Sequence, residues 1–289
     1  MFFTNFVQQN LVFLGMKKIF YLGFGILMMM SCSTMKYKDV VYGKTKSKED
    51  LKLNIFVPKN SENKKLPVLI FVHGGNWNSG NKDLYGFFGR NFAKKDVVTV
   101  IPSYTLSPKA NVDEMTTEIA SAVKWVQNNI SQYHGDAKNL FVTGHSAGAQ
   151  LVTNAVLNPK FGIDEKSISG IILNDAAGID MKDYLEKNPP TTKDDYITTW
   201  STDPQNWYQA SPINFLDQNS PPFLIYVGTK TYPSITTANE HFLKKLNEFQ
   251  PEVKPIFLKK KHIPMILQYF FPWSDRFDET KKFMDINSK

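Results

Sequence analysis

The sequence predicts an α/β fold with a mostly parallel central sheet and helices on both faces. Short apolar runs alternate along its 289 residues with longer stretches of helical periodicity, as in parallel strands joined by helices. These runs alternate little between apolar and polar residues, which is typical of strands buried on both faces. One run, residues 139–143, ends in Gly144-His-Ser-Ala-Gly148 and continues into small residues, which predicts a strand, a tight turn and a helix.

The elements can be assigned in chain order. Residues 33–50 are polar, rich in lysine and weakly alternating, and are expected to be a tether that leads into an edge strand. Residues 51–57 alternate, and the turn signals at 58–63 predict a hairpin into the buried strand 67–72. The other predicted strands cover 97–101, 139–143, 168–174, 221–227 and 253–258, with helices at 83–95, 112–133, from 149, 236–249 and 274–284. Residues 51–289 should therefore form one domain.

Two stretches do not fit the alternation of strands and helices. Residues 181–216 are polar and proline-rich yet contain five tyrosine and tryptophan residues, and they are too long for an ordinary connection. Residues 263–273 are apolar and aromatic. Both are expected either to line a pocket above the sheet or only to close the core.

Composition excludes several classes of protein. Apolar residues make up 42% of the chain, enough for a large core, and a single cysteine rules out an internal disulfide. The formal net charge of +7 comes from dispersed lysines, so we predict attraction to anionic surfaces and no nucleic-acid partner. The histidine and acidic residues show no metal-ligand spacing, and no cofactor is implied.

The N-terminal residues 1–32 have the pattern of an export signal. Lys17-Lys18 precede a twelve-residue apolar run, 19–30, which is followed by Ser31 and Cys32. This end resembles a bacterial lipoprotein signal, which implies lipidation of Cys32, although methionine stands at position 29, where leucine is usual. An uncleaved anchor and an ordinary cleaved signal are the alternatives, and Met16 is the expected start. All three predict an exported, membrane-anchored or secreted domain.

The glycine-flanked serine suits a nucleophile. Glycines on both sides permit a strained turn that exposes Ser146 Oγ at the carboxyl edge of the sheet. The N–H of Ala147, at a helix N-terminus, would then point to where negative charge develops in acyl transfer. A buried structural turn is the alternative to this interpretation.

A second glycine motif follows the predicted strand 67–72. His73-Gly-Gly-Asn-Trp77, residues 103–108 and Gly144-His-Ser-Ala-Gly148 together resemble the α/β-hydrolase superfamily, in its carboxylesterase and kynurenine formamidase-like (acetyl esterase-like) branch. The resemblance implies an oxyanion hole built from the N–H groups of Gly75 or Asn76 and of Ala147. It also implies the order serine, acid, histidine.

His262, just after the last predicted strand, is where this resemblance expects the base. The acid departs from the superfamily's pattern. The superfamily usually has a Gly-x-x-Asp sequence after the strand that corresponds to residues 223–227, whereas this chain has Gly228-Thr-Lys-Thr231. Asp175, directly after the strand 168–174, is favoured instead, with Asp180, Glu240 or no acid as alternatives.

The sequence therefore predicts a serine hydrolase that cleaves small acyl or aromatic esters, with carbohydrate-linked esters included. An arylformamidase-type amide hydrolase is the nearest alternative. Because Thr231 carries no charge, a non-catalytic binding lipoprotein of the same fold is the alternative from another class.

Overall fold

The structure, a computed structural model, describes residues 33–289. The predicted export signal and Cys32 lie outside the described residues. The strands are β1 Thr34–Lys44, β2 Asp50–Pro58, β3 Leu66–Val72, β4 Val98–Pro102, β5 Gly135–His145, β6 Gly170–Asn174, β7 Phe223–Gly228 and β8 Ile256–Leu258. The helices are α1 Gly86–Ala93, α2 Val112–Asn129, α3 Ala147–Leu157, α4 Met181–Lys187, α5 Tyr196–Trp200, α6 Pro204–Gln209, α7 Pro233–Leu246, α8 His262–Leu267 and α9 Asp275–Ile286.

The strands form one sheet in the order β1-β2-β4-β3-β5-β6-β7-β8. The strands from β3 to β8 pair in parallel, whereas β2 is antiparallel to both β1 and β4. The predicted fold class, a mostly parallel sheet between helices, is confirmed. Among the described residues, no helix combines the length and the apolar character needed to cross a membrane.

Alternate side chains of the central strands build two separate cores. Val68, Ile70 and Val72 of β3 join the cluster covered by α2, α3 and α7, and Leu69 and Phe71 join the cluster covered by α1, α8 and α9. This follows from the two-residue period of a strand. A strand buried on both faces needs apolar residues at every position, which is why its sequence does not alternate.

Two predictions about the first strands are wrong. The residues predicted as a tether, 33–50, form β1 over most of their length, and bulges between Tyr37 and Val40 and between Val41 and Gly43 break the two-residue period there. The bulges explain why the alternation looked too weak for a strand. The predicted hairpin of 51–57 with 67–72 is also absent, since β2 pairs with β1 and β4 and the chain crosses over before β3.

Helix α2 shows how local sequence fixes an element. Asn111 accepts a hydrogen bond from the N–H of Glu114, and the Glu114 carboxylate accepts one from the N–H of Asn111, a capping box that starts the helix at Val112. The buried side chains at helical spacing, among them Met115, Ile119 and Val123, then face the sheet. The helix ends at Asn129, and a short 3-10 turn covers the remainder of the predicted 112–133.

Candidate active site

Ser146 lies on the sharp turn between β5 and α3. Its φ and ψ of 55° and −127° are unusual for a residue with a side chain. The turn is enforced by close packing, since a Cβ on Gly148 would lie 2.2 Å from the carbonyl oxygen of Val72 at the end of β3. Helix α3 therefore starts directly against the sheet, and Ser146 stands at the carboxyl edge of the parallel strands with 8% of its surface exposed.

His262 is the first residue of α8 and its imidazole reaches Ser146. The distance from His262 Nε2 to Ser146 Oγ is 2.8 Å. His145 holds the base from behind: its Nε2 lies 3.1 Å from the backbone oxygen of His262, and the two rings stack with centroids 4.6 Å apart. Because a carbonyl oxygen only accepts, His145 carries its proton on Nε2.

Asp175 completes the hydrogen-bonded chain. Its Oδ2 lies 2.6 Å from His262 Nδ1 and accepts a second hydrogen bond, at 2.5 Å, from the Thr231 hydroxyl. Its Oδ1 accepts from the N–H of Gly228 at 2.8 Å. The carboxylate is fully buried, and these hydrogen bonds define the position of both its oxygens. The backbone of Asp175 has a left-handed φ of 51°, which the surrounding structure must hold in place.

The other carboxylates considered as the acid lie elsewhere. Asp180 Oδ2 is 2.7 Å from His241 Nδ1, and Glu240 is exposed on α7. Asp175 is thus the one of the three that contacts His262. The non-catalytic alternative assumed that a threonine at position 231 leaves the base without an acid. In the structure Asp175 contacts His262, so the base has a carboxylate partner.

The loop after β3 lies beside the nucleophile. A Cβ on Gly74 would lie 2.7 Å from the backbone oxygen of His145 and 3.0 Å from Ser146 Cβ, so only glycine allows this approach. Within residues 33–289, the N–H groups of Gly75, Asn76 and Ala147 donate to no protein acceptor. Such free donors around a serine are the arrangement that an oxyanion hole requires.

The side chains of Asn76 and Trp77 buttress this loop. Asn76 is exposed, and its Oδ1 accepts from the Tyr196 hydroxyl at 3.3 Å. Trp77 is buried with its Nε1 donating to Gln150 Oε1 at 2.9 Å, and Gln150 in turn donates to the backbone oxygen of Ala210. Both residues have left-handed φ angles, so these contacts hold a strained backbone in place.

A cavity of about 920 Å³ opens above Ser146. The segment 181–216 contributes Met181, Tyr184 and Tyr196 to its wall, and the segment 263–273 contributes Ile263, Ile266 and Leu267. The later part of the first segment does not reach the cavity, because Trp200 and Trp207 belong to the core. The space is large enough for an acyl group and a leaving group together.

His73 and His145, which belong to the two glycine motifs, are buried and neutral. Burial lowers the pKa of His73 to about 4 and that of His145 to about 3, and the neighbouring His262 adds to the second effect. His73 Nδ1 lies 2.8 Å from the backbone oxygen of Gly74. Both rings therefore support the turns on which the site is built.

The two buried histidines predict a loss of stability in acid. Below pH 6.5 the unfolded chain binds protons at these positions and the folded chain does not, so the free energy of unfolding falls as the pH falls. Between pH 6 and pH 5 the contribution of the two histidines should fall by about 2 kcal/mol, measured by urea unfolding of a variant in which Glu165, whose titration opposes it, is replaced.

Glu165 provides the control for this experiment. Burial raises the pKa of Glu165 to about 7. Its contribution to the free energy of unfolding therefore increases as the pH falls toward 4.5, which opposes the effect of the two histidines. The Glu165→Gln variant should therefore show a steeper loss in acid than wild type, and His145→Gln a shallower one. A stability that is flat between pH 6 and pH 5 in Glu165→Gln contradicts the prediction.

Asp180, Asp183 and His241 form a trio of side chains of the kinds that bind metals, with candidate ligand atoms within 4.8 Å of one another. Each side chain already has a protein partner, since Asp180 caps α4 and pairs with His241, and the carboxylate of Asp183 accepts from Lys187 Nζ. The search for metal-ligand spacing in the sequence did not find this trio, because its members come from the start of α4 and from α7, about 60 residues apart in the chain.

Sequence reasoning missed two residues around His262. Thr231 was discounted for lack of charge, yet its hydroxyl donates to Asp175 and lies 3.5 Å from His262 Nδ1. Tyr232 packs its ring edge-on to His262 with centroids 5.4 Å apart. The sequence did offer one indication for Thr231, because this residue occupies the position after β7 where an acid was expected.

The BD-FAE family model matches residues 53–246, which include the nucleophile turn, the glycine loop and Asp175. Among curated proteins, the chain is 24% identical over 251 residues to a probable isoprenylcysteine alpha-carbonyl methylesterase of Arabidopsis thaliana, covering 80% of this chain and 52% of the relative. It is 32% identical over 118 residues to a kynurenine formamidase of Danio rerio, covering 41% and 38%. The chain spans about half the length, or less, of these relatives.

Among solved structures, esterase B from Lactobacillus Rhamnosis is similar in fold, with a TM-score of 0.71 at 18% identity, and the match covers 88% of this chain and 86% of the other. At this level of identity the likeness supports the fold. The assignment of chemistry depends on the geometry around Ser146.

Proposed function

The chain belongs to the BD-FAE family, and from this premise we propose that it is a serine ester hydrolase that works through Ser146, His262 and Asp175. The observation that carries the proposal is the continuous hydrogen-bonded chain from Ser146 Oγ through His262 to the buried carboxylate of Asp175. A serine hydroxyl is a weak nucleophile unless a base lies within hydrogen-bond reach and a third group orients that base.

The reaction proceeds in two halves. Ser146 Oγ attacks the ester carbonyl carbon while His262 Nε2 takes the hydroxyl proton, and the tetrahedral oxyanion accepts hydrogen bonds from Ala147 N–H and from the N–H of Gly75 or Asn76. His262 returns the proton to the departing alkoxide, which leaves as the alcohol. Water then attacks the acyl-enzyme with His262 as base, and this step releases the acid and restores Ser146.

Asp175 does not exchange protons in this scheme. It accepts the hydrogen bond from His262 Nδ1–H, so Nε2 is left unprotonated and faces Ser146. It also stabilises the imidazolium that forms when the serine proton is taken. The donors Thr231 and Gly228 keep its two oxygens in place for this role.

We propose small acyl and aromatic esters, including those linked to carbohydrate, as the substrates. The cavity wall is mostly apolar and aromatic on both sides of Ser146, which suits an apolar acyl or aryl group. An arylformamidase activity is the second candidate, because the kynurenine formamidase of Danio rerio is among the relatives.

Comparing two substrates tests the proposal and its rival. The purified protein is expected to hydrolyse 4-nitrophenyl acetate with a kcat/KM at least about tenfold above that for N-formylkynurenine, since an ester has the better leaving group and the lower intrinsic barrier. Covalent labelling by a fluorophosphonate gives an independent readout of an activated serine. Faster turnover of N-formylkynurenine would favour the formamidase, and a folded protein that is neither labelled nor active would refute both.

We further propose that the protein is exported and attached to a membrane through lipidated Cys32. The supporting observations are in the sequence: Lys17-Lys18, the apolar run 19–30 and the small residue before the cysteine. The intact mass of the protein extracted from membranes tests this, since lipidation adds the mass of the acyl chains to a chain that begins at Cys32. A mature chain of unmodified mass that contains residues 16–31 would contradict it.

A further inference from the structure

The mouth of the cavity is rimmed by exposed apolar side chains, here called the rim surface. Its members come from the segment before α1, from α8 and from the stretch between α8 and α9. Leu84, Ile263 and Leu267 line the cavity, and Phe270, Phe271 and Trp273 extend the surface beyond it. Trp273 is 78% exposed and Leu84 68%. Isolated exposed apolar residues are common, but a cluster of this size beside a pocket marks an interaction site.

The rim surface is continuous. The rings of Phe271 lie 5.8 Å from Phe270 and 5.5 Å from Trp273, and Phe270 lies 5.6 Å from Phe87. Phe87 lines the same cavity as Leu84, Ile263 and Leu267. The aromatic chain therefore runs from the cavity wall out to the most exposed tryptophan.

The exposure of these residues follows from the sequence. Every side chain of the six-residue helix α8 except His262 is apolar, so a single sheet face cannot cover them all. Met265 and Ile266 enter the core, whereas Ile263 and Leu267 face outward. In the next turn Tyr269 is buried and the residues that follow it are exposed.

Unpaired positive charge flanks the rim surface. Lys259 and Lys261 directly precede α8, and Lys230 lies on the adjoining loop, where its N–H donates to the backbone oxygen of Lys260. Within residues 33–289 none of these three lysines is in an ion pair. Acidic residues also lie in this region: Asp180 and Asp194 line the cavity, Asp275 and Asp278 are in the first turn of α9, and the buried Asp175 contacts Thr231 and His262.

We propose that the rim surface docks on an anionic lipid bilayer. Exposed Trp, Phe, Leu and Ile side chains next to lysines form the combination that binds a headgroup region, with the apolar groups inserted and the lysines facing lipid phosphates. A second copy of the chain would leave the three lysines of each copy unpaired against each other. Charge complementarity therefore favours the bilayer.

This orientation has a consequence for the substrate, which rests on the proposed esterase function. Leu84, Ile263 and Leu267 belong both to the rim surface and to the cavity wall, so docking would bring the cavity mouth next to the bilayer and an ester dissolved there could enter toward Ser146. The substrates reached in this way are amphiphilic esters with an apolar chain.

The rim surface and the N-terminus lie at opposite edges of the sheet. The backbone oxygen of Ser33 accepts from the N–H of Lys59, beyond the end of β2, and β2 runs antiparallel to the strands that carry the site. An anchor at Cys32 would thus hold the opposite edge from the cavity mouth. The two attachments would therefore engage opposite edges of the sheet and cannot both hold the domain flat on one bilayer surface. Docking is tested by itself on a chain of residues 33–289, which contains all eight strands and both cores.

Tryptophan fluorescence with brominated lipids measures the insertion directly. Of the five tryptophans, Trp77, Trp200 and Trp207 are buried, Trp125 is half-buried, and Trp273 is the exposed one. Brominated phosphatidylcholine vesicles containing about 30% phosphatidylglycerol should quench part of the fluorescence of residues 33–289 and of the full chain. The Trp273→Phe variant should show no quenching.

Matched variants separate docking from general charge attraction. The double variant Lys259→Glu with Lys261→Glu should weaken vesicle binding by at least about tenfold. The control is Lys65→Glu with Lys138→Glu, which has the same net charge but changes lysines near the opposite edge of the sheet. It should change vesicle binding by less than about twofold. Phe271→Ser should weaken binding, and Ile286→Ser, an exposed residue at the end of α9, should not.

The outcomes that overturn the proposal are equally specific. Absence of quenching in the wild type, or equal weakening by both lysine pairs, rejects docking through the rim surface. A dimer in sedimentation that Phe271→Ser dissociates, together with no quenching, assigns the surface to a second copy. Ser146→Ala should bind vesicles like wild type, so failure of the esterase proposal would leave this result unchanged.

Discussion

Replacing Ser146 by alanine is expected to lower the kcat for a short-chain aryl ester by about 10⁶-fold, which leaves only the residual acceleration that binding and the oxyanion donors supply. The alanine has no oxygen to attack the carbonyl, so no acyl-enzyme forms, and the intact cavity and oxyanion donors cannot replace the nucleophile. Stoichiometric labelling by a fluorophosphonate should be lost at the same time. Steady-state kinetics and intact-mass measurement on wild type and variant give the two readouts.

The fold of the variant needs its own control. Alanine keeps the Cβ, so the strained φ of 55° at position 146 is unchanged, and the melting temperature should stay close to that of wild type. His262 loses one hydrogen-bond partner but keeps Asp175. Residual activity of more than about one per cent in a folded Ser146→Ala protein would show that another group is the nucleophile.

The fold class was predictable because it depends on patterns that are local. The buried central strands are unbroken apolar runs, and a capping box marks the start of α2. The first strand was missed because its bulges remove the two-residue period, and the pairing of β2 was missed because strand order is decided by contacts distant in sequence.

Within the site, sequence alone identified the residues with a local signature. Ser146 and the glycine loop belong to motifs, because a tight turn and a close backbone approach restrict the residue types at those positions. Asp175 has no such motif. Its partners, Gly228, Thr231 and His262, are between 53 and 87 residues away in the chain, and the packing of β6, β7 and β8 side by side brings them together.

Thr231 shows how the acid can lie on a different strand without loss of the hydrogen-bonded chain. An aspartate after β7 and one after β6 reach nearly the same point, because neighbouring parallel strands end at the same edge of the sheet. Here the carboxylate comes from the end of β6, and the residue after β7 supplies a hydroxyl that donates to it. The position that lacks a charge still orients the acid.

Asp175→Asn is expected to lower kcat at neutral pH by about 10⁴-fold while the fold is retained. The N–H of Gly228 needs an acceptor, so the amide oxygen of the asparagine will replace Oδ1, and the amide nitrogen will replace Oδ2 beside His262. This NH₂ group donates to Nδ1 and stabilises the tautomer with its proton on Nε2. His262 Nε2, which must accept the proton of Ser146, is then already protonated.

Returning the carboxylate to the other strand should restore part of the lost activity. Since Thr231 Oγ1 lies 3.5 Å from His262 Nδ1, Asp175→Asn combined with Thr231→Asp places an acid within reach of the base, and kcat is expected to rise at least about tenfold over Asp175→Asn alone. Asp175→Asn with Thr231→Asn, which has the same shape without the charge, should show no recovery. Near-wild-type activity of Asp175→Asn itself would instead mean that Asp175 only supports the loop and that His262 is oriented by another group.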